Sequence, residues 1–137
     1  MKVQEIMRRR VASCTPEMNL TAAAAELGRD GCECLPVVGE GGNVIGTITD
    51  RDIDKVVARC VEPSKVPVWE AMQHKLFTCS PEDDVRCALK TIRAEKIREL
   101  PVVDRNGVLA GVLYVDDIAQ KTGTQVSPGL TRKATAA

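Results

Sequence analysis

The chain has 137 residues, 44% of them hydrophobic and 28% charged, which is the composition of an ordinary globular domain. Its 19 basic and 19 acidic residues give a net charge of zero, which argues against nucleic acid as a partner, because binding a phosphate backbone needs a basic surplus. The sequence has no apolar segment long enough to cross a membrane and no signal peptide. We therefore expect a reducing, cytoplasmic location in which the six cysteines are free thiols.

An internal repeat is the most informative feature of the sequence. A shift of 65 residues aligns residues 3–58 with residues 68–123 without a gap, and 15 of these 56 pairs are identical. The block Leu35-Pro36-Val37-Val38 returns whole as Leu100-Pro101-Val102-Val103. Two copies are too few for a solenoid, so we expect two small units that cover each other's apolar surfaces. The predicted divisions are a first repeat at 1–60, a linker at 61–67, a second repeat at 68–122 and a flexible tail at 123–137.

The elements of the first repeat begin with a short lead-in helix over residues 1–7 and a strand over residues 11–13. Asn19 is a suitable N-cap for a helix whose apolar residues recur at helical spacing and which Gly31 ends. Two strands joined by a glycine-rich turn and then a second helix complete the repeat, at residues 35–38, 44–49 and 50–58.

The second repeat has the same predicted order of elements, from a lead-in over residues 68–72 onward. Val85, Leu89 and Ile92 lie at helical spacing in its first helix. A hairpin turn at residues 104–107 leads to the return strand and the last helix. The chain is therefore predicted to be an α+β protein built from a duplicated β-α-β-β-α unit.

Thr49 and Asp52 are the strongest chemical candidates, because they lie where a strand ends and a helix begins. A carboxylate can accept hydrogen bonds from the two vicinal hydroxyls of a ribose. Free backbone N–H groups at the helix start favour phosphate, and Arg51 adds positive charge beside them. The same Thr-x-x-Asp spacing is also a capping box, whose role is only to start a helix. The residues alone leave both roles open, and the two roles are compatible.

Several motifs recur in both repeats in one order: a methionine at the end of each lead-in, the Leu-Pro-Val-Val block, and the segments 46–52 and 111–117. Together they resemble a tandem pair of cystathionine-β-synthase (CBS) domains, also called a Bateman module, over about residues 1–122. The resemblance implies pseudo-two-fold symmetry and clefts between the repeats that bind AMP, ADP or ATP, and in some members NAD or S-adenosylmethionine. It also implies a stand-alone regulatory module that needs no cofactor for catalysis and acts on an unknown partner protein in trans.

Carried over residue by residue, the resemblance implies one complete ligand site. Thr49, Arg51 and Asp52 would take the ribose and phosphate, and they would face the first strand and the segment before the Pro-Val-Val block of the other repeat. The apolar members of those segments would flank an adenine ring, and Arg98 would reach the phosphates. The implied facing residues are Leu76, Phe77, Thr78, Ile97, Arg98, Glu99 and Pro101. From the residues alone, Arg98 could equally be part of a solvated charge run and Phe77 ordinary core.

The second site that the resemblance implies departs from the family pattern. Asp117 is in place, but Tyr114 stands where a threonine or serine is expected, and Glu33 would repel phosphate. Its other implied residues are Val11, Ala12, Cys34 and Pro36. Arg8, Arg9 and Arg10 could compensate if they folded towards this site, but we interpret them as a solvated run. The site is therefore predicted to be weaker, or suited to a less charged adenosine compound.

Two other functions compete with ligand sensing. An enzyme is disfavoured, because His74 is the only histidine and no nucleophile is marked beside it. No metal site is predicted, because Cys32 and Cys34 lack a second pair of ligands. A thiol-based redox protein without nucleotide binding is the alternative, since Cys14 and Cys79 occupy equivalent positions, although small buried residues explain them better. A homodimer is expected through an apolar stripe on the second helices, formed by Ile53, Val56, Val57 and Ile118, unless the core of each unit absorbs that stripe.

Overall fold

A computed structural model describes residues 1–30 and 32–123, in which the elements of the two repeats recur at the predicted spacing of 65 residues. The first repeat contains α1 (Leu20–Asp30), β1 (Cys34–Val38), β2 (Val44–Thr49) and α2 (Asp50–Ala58). The short helix α3 (Val68–Ala71) leads into α4 (Val85–Glu95), β3 (Glu99–Val103), β4 (Leu109–Tyr114) and α5 (Val115–Thr122). The predicted helix stop at Gly31 and all but the first residue of the predicted tail lie outside the described residues.

The chain forms two compact units whose boundaries differ from those of the sequence repeats. Residues 11–76 and 106–109 form one unit, called here the Asp52 unit, and the remaining described residues form the other, called the Asp117 unit. The lead-in of each repeat therefore belongs to the unit built around the other repeat. The backbone N–H of Val3 donates to Asp83 at 2.9 Å, and that of Val68 donates to Met18 at 2.7 Å.

Each repeat contributes a two-stranded sheet, β1 with β2 and β3 with β4. In the first sheet the strands are antiparallel, with Leu35 opposite Ile48. The strand predicted at residues 11–13 is wrong, because only Cys14 pairs, in a parallel bridge to Val37. Cys79 makes the equivalent bridge to Val102. Apart from this reduction of the first strand to a single bridging residue, the predicted α+β fold is confirmed.

The first helix of each repeat begins where its capping residue predicts. The side chain of Asn19 accepts a hydrogen bond from the N–H of Ala22 at 2.9 Å. Asp84, its equivalent in the second repeat, accepts one from Arg86 at 2.8 Å. Each cap satisfies an N–H group that has no partner within the helix, and such caps contribute about 1 kcal/mol to stability.

Each unit has its own hydrophobic core. In the Asp52 unit Leu20, Leu35 and Ile48 are fully buried, and in the Asp117 unit Ile92 and Leu100 are fully buried. Three members of the stripe predicted to mediate dimerisation are also buried in these cores, namely Ile53, Val56 and Ile118. The core thus absorbs most of that stripe, and of its four members only Val57, which is 50% exposed, is accessible for such a contact. No helix in the described part of the chain is long and apolar enough to span a bilayer.

Candidate functional site

Thr49 and Asp52 form the capping box that their spacing predicts. The Thr49 hydroxyl accepts a hydrogen bond from the N–H of Asp52 at 3.3 Å and donates to Asp52 Oδ2 at 3.0 Å. The N–H of Thr49 also donates to Asp52 Oδ2, at 2.9 Å. These bonds fix the carboxylate at the first turn of α2, where the helix dipole stabilises negative charge.

A third partner completes the surroundings of the Asp52 carboxylate. The side-chain amide of Gln73 donates to Asp52 Oδ1 at 2.8 Å. Three hydrogen bonds thus occupy the four or so acceptor positions of the carboxylate. Asp52 is only 4% exposed, and among residues 1–30 and 32–123 no cation forms an ion pair with it. It is a buried anion that is hydrogen-bonded by neutral groups alone.

A glycine allows Gln73 to reach this position. The backbones of Gln73 and Thr47 exchange two hydrogen bonds, of 2.8 and 3.1 Å, so the segment after α3 crosses β2 directly. A Cβ at Gly46 would lie 2.4 Å from the carbonyl oxygen of Gln73, a distance that real Cβ atoms do not adopt. Glycine is therefore required here for close approach of two backbones.

The Asp117 unit repeats this crossing but ends it with a different side chain. Arg8 exchanges two backbone hydrogen bonds of 2.9 Å with Val112, and a Cβ at Gly111 would lie 2.4 Å from the Arg8 carbonyl oxygen. The Arg8 guanidinium binds Asp117 through two bonds, Nε to Oδ2 at 2.8 Å and Nη2 to Oδ1 at 3.0 Å. The guanidinium carbon also lies 4.5 Å from the ring centroid of Tyr114.

The second carboxylate, Asp117, therefore has a cation as its partner, whereas the first, Asp52, has neutral partners. Tyr114 precedes α5 but makes no side-chain cap, so Asp117 is held by a cation instead of a hydroxyl. The hydrogen bonds that Arg8 donates to Asp117 raise the pKa of the Arg8 guanidinium, and the negative charge of Asp117 acts in the same direction. Arg8 therefore follows the alternative of the two interpretations of residues 8–10, because its guanidinium binds Asp117, which lies 109 residues away in the sequence.

The CBS domain family model matches the chain twice, at residues 3–59 and 68–122. The chain belongs to the CBS domain family. These two matches contain both capping segments and both crossing glycines, so the geometry described above belongs to a CBS domain pair.

Curated relatives include other proteins with CBS sequences. The chain is 30% identical over 127 residues to the CBS domain-containing protein YhcV of Bacillus subtilis, which covers 93% of this chain and 89% of that protein. It is 33% identical over 119 residues to the uncharacterized protein MK0525 of Methanopyrus kandleri, covering 86% of this chain. The chain spans 61% of the length of MK0525, and only 24% of a matched homoserine O-acetyltransferase of Methanococcoides burtonii.

A solved CBS domain pair has the same fold. The CBS pair of protein MJ0100 superposes with a TM-score of 0.79 and 25% sequence identity, covering 90% of this chain and 96% of that chain. That structure is a complex with 5′-methylthioadenosine and S-adenosyl-L-methionine. Regulation rather than catalysis is the role of such CBS pairs.

The predicted ligand residues are divided between the two units. Thr49, Asp52 and Leu76 belong to the Asp52 unit, and Arg51 lies exposed in the first turn of its helix α2. Val11, Ala12, Cys34 and Pro36, assigned to the second site, also belong to the Asp52 unit. The Asp117 unit contains the predicted residues Phe77, Thr78, Ile97, Arg98, Glu99, Pro101, Tyr114 and Asp117. Phe77 and Ile97 are half-buried and pack against that unit's core.

The two cysteines at equivalent repeat positions, Cys14 and Cys79, have the environment of structural thiols. All six cysteines are free, and Cys14 and Cys79 are buried. Burial raises the pKa of each of these two thiols to about 12. Within the part of the chain that the structure describes, no three His, Cys, Asp or Glu side chains are grouped so that they could hold a metal ion.

Sequence reasoning did not identify Gln73, and it named Arg8 only as one of three arginines that could turn towards the second site. Both follow the methionine at the end of a lead-in and occupy the same position in the repeat. The repeated glycines 46 and 111 were the available signal, because an identical glycine in two strands indicates a close backbone approach. Neither glycine identifies which segment approaches the strand.

Proposed function

We propose that this chain is a regulatory module that binds an adenosine-containing ligand, with AMP, ADP and ATP as the first choice, and that it signals to a partner protein in trans. The observation that carries the proposal is the Asp52 carboxylate, which is buried, held at a helix N-terminus and paired with no cation from the part of the chain that the structure describes. The adenosine compounds in the structure of the CBS pair of MJ0100 support the ligand class.

Each proposed residue has a chemical task. Asp52 accepts hydrogen bonds from the ribose hydroxyls, and Thr49 keeps the Asp52 carboxylate in place. Arg51 and the N-terminus of α2 attract phosphate. For the remaining contacts, from Leu76 to Pro101, the proposal rests on the family resemblance, which gives Arg98 the distal phosphates and the apolar residues the adenine.

A ligand comparison tests the ribose contact. AMP and 2′-deoxy-AMP are titrated calorimetrically into the wild-type chain and into Asp52→Ala. Asp52→Ala is expected to weaken AMP by about ten- to a hundredfold, because a hydrogen bond to a charged group contributes about 1.5–3 kcal/mol. The wild type should prefer AMP to its deoxy analogue, and the variant should bind both equally.

Asp54→Ala is the matched control, because Asp54 is an exposed carboxylate on the same helix. An Asp52→Ala chain with unchanged AMP affinity and only a lower melting temperature would reduce the Thr49–Asp52 motif to a helix cap. Parallel titrations with ATP, NAD and S-adenosylmethionine identify the preferred ligand. Arg98→Ala should weaken ATP more than adenosine, whereas Asp117→Ala should leave nucleotide affinity nearly unchanged.

We also propose that the chain forms a homodimer, as the family resemblance implies. Because Ile53, Val56 and Ile118 are buried in the cores of the units, the exposed apolar residues Val57 and Trp69, at 50% and 52%, are the better candidates for the contact. Light scattering at micromolar concentration should give twice the chain mass, and Val57→Lys should halve that mass. A wild-type mass equal to one chain would contradict the dimer.

A thiol-based redox function has less support. Reactive cysteines have a lowered pKa, whereas burial raises the pKa of Cys14 and Cys79. We accordingly propose neither redox nor catalytic activity for the chain.

We propose the cytoplasm as the compartment of the chain, which cell fractionation can test.

A further inference from the structure

Each carboxylate proposed or implied to bind a ribose, that of Asp52 and that of Asp117, already has a hydrogen-bond partner in the lead-in segment of its own unit. For Asp52 the partner is the neutral amide of Gln73, through one hydrogen bond of 2.8 Å. For Asp117 it is the guanidinium of Arg8, through two bonds. The two partners are equivalent in the repeat, and the glycine crossings hold their backbones in the same place.

From this difference we infer that the residue after the lead-in methionine, Gln73 in one unit and Arg8 in the other, determines whether the carboxylate of that unit can accept a ribose. This inference rests on the proposed function and makes it more specific. Gln73 and Arg8 are then specificity-determining residues: Gln73 permits a ribose to bind at Asp52, and Arg8 obstructs a ribose at Asp117.

The argument for Gln73 as the permissive residue is one of exchange. Asp52 has about one acceptor position open, and the Gln73 amide occupies one more. One ribose hydroxyl can donate to the open position, and the other can donate in place of the Gln73 amide. The amide and the hydroxyl are both neutral donors, so the carboxylate loses no charged partner. Gln73 is an exposed residue, and its released amide can hydrogen-bond to water.

The argument for Arg8 as the obstructive residue is one of competition. A guanidinium donates to both carboxylate oxygens at once, and this bidentate ion pair adds an attraction between opposite charges that a neutral amide or hydroxyl donor lacks. A diol would have to displace both of them and also draw the cation away from the Tyr114 ring. The nearby charge of Glu99 adds to the electrostatic attraction that keeps Arg8 in place. A ribose therefore gains little from Asp117 while Arg8 is present.

The test exchanges the two residues and counts bound ligand. The probe is 5′-methylthioadenosine, which has the diol and carries no phosphate charge, titrated calorimetrically into the full chain. The wild type should bind one molecule per chain and Arg8→Gln two. Gln73→Arg should weaken binding at the Asp52 site by at least about tenfold, which corresponds to about 1.4 kcal/mol. The double exchange should again bind one molecule.

Matched controls separate these effects from a general change in charge. Arg9→Gln removes the neighbouring exposed arginine and should leave one molecule per chain. Gln120→Arg adds the same charge at an exposed position of α5 and should also change nothing. Adding Asp117→Ala to Arg8→Gln should abolish the second molecule, because that molecule depends on the released carboxylate.

The outcomes distinguish this inference from the proposed function. One molecule on both the wild type and Arg8→Gln overturns the inference and leaves the function standing. Two molecules on the wild type also overturn it. If the wild type binds nothing and Arg8→Gln binds one molecule, the role of Arg8 is supported and binding at Asp52 is contradicted. If neither chain binds, both the inference and the proposed function are contradicted. If Arg8→Gln fails to fold, Arg8→Ala, which also removes the guanidinium from Asp117, gives the decision by the same count.

Discussion

The Asp52 unit and the Asp117 unit place a carboxylate at the same point of the same fold and stabilise it in different ways. Around Asp52 the partners are a hydroxyl, a backbone N–H and an amide. Around Asp117 the partner is an arginine that stacks on a tyrosine. The difference lies at two equivalent positions of the repeats. Thr49 caps its helix and Tyr114 does not, and a glutamine amide in one unit is replaced by an arginine guanidinium in the other.

The largest expected effect concerns a property that the two units share, the buried thiols of Cys14 and Cys79. Folding raises the pKa of each thiol from its ordinary value to about 12. The unfolded thiols ionise first, so stability present below about pH 9 is lost as the pH rises toward 12. The free energy of unfolding should fall by about 1.4 kcal/mol per pH unit for each thiol.

Urea denaturation at pH 8 to 11 measures this slope. Cys14→Ala and Cys79→Ala should each reduce it by the same amount, whereas alanine at the exposed Cys60 should leave it unchanged. Unequal slopes in the two variants would contradict the symmetry of the units.

The second effect tests the shared backbone crossing. Gly46→Ala and Gly111→Ala each place a methyl group 2.4 Å from a backbone carbonyl oxygen, which cannot move aside as a side chain would. Overpacking of this kind costs about 1–3 kcal/mol, and thermal unfolding should show it in both variants. Gly28→Ala is the control, because nothing lies within 4 Å of its Cβ in helix α1, and it should stabilise the chain slightly. Tolerance of alanine at either crossing glycine would mean that the lead-in is not held there.

The third effect separates the two carboxylates. Asp52→Ala should destabilise the chain by about 1–3 kcal/mol, because it removes a cap and leaves Thr49 and Gln73 without their acceptor. Asp117→Ala should cost at most about 1 kcal/mol, because the Arg8 side chain is 54% exposed and water can solvate it. Equal losses of stability in chemical denaturation would indicate that the ion pair is as important to folding as the capping box.

The smallest effect concerns salt. Arg8→Gln should lower stability by less than about 1 kcal/mol at low ionic strength, and the loss should vanish near 1 M sodium chloride, where screening acts over about 3 Å. Gln73→Ala removes a neutral donor, so its effect should be the same at both salt concentrations. A salt-independent loss for Arg8→Gln would show that its packing on Tyr114 outweighs its charge.

Local patterns in the sequence predicted the local parts of this structure. The apolar spacing of Val85, Leu89 and Ile92 gave the buried face of α4. The Thr-x-x-Asp spacing gave the capping box, since a cap depends on residues only three positions apart. Whether Asp52 binds a ribose remains a prediction, because a capping box and a ribose site use the same residues.

What the sequence could not provide depends on tertiary position. The pairing of Arg8 with Asp117 joins residues 109 positions apart, and no local pattern encodes it. The predicted strand at residues 11–13 looked convincing as an apolar run, but only Cys14 comes into register with β1. In the same way, the sequence around Val57 does not reveal that its neighbour Val56 is covered and Val57 is not.

The exchange of lead-ins also bears on how such a protein could have originated. Each compact unit takes residues from both repeats, with residues 1–10 completing one and residues 68–76 completing the other. An ancestor with a single repeat would have lacked the segment that crosses its own strand, and a second copy of the same chain would have had to supply it. Duplication and fusion of such an ancestral gene would convert an obligatory partnership into one polypeptide and leave each half free to diverge, as Gln73 and Arg8 have done.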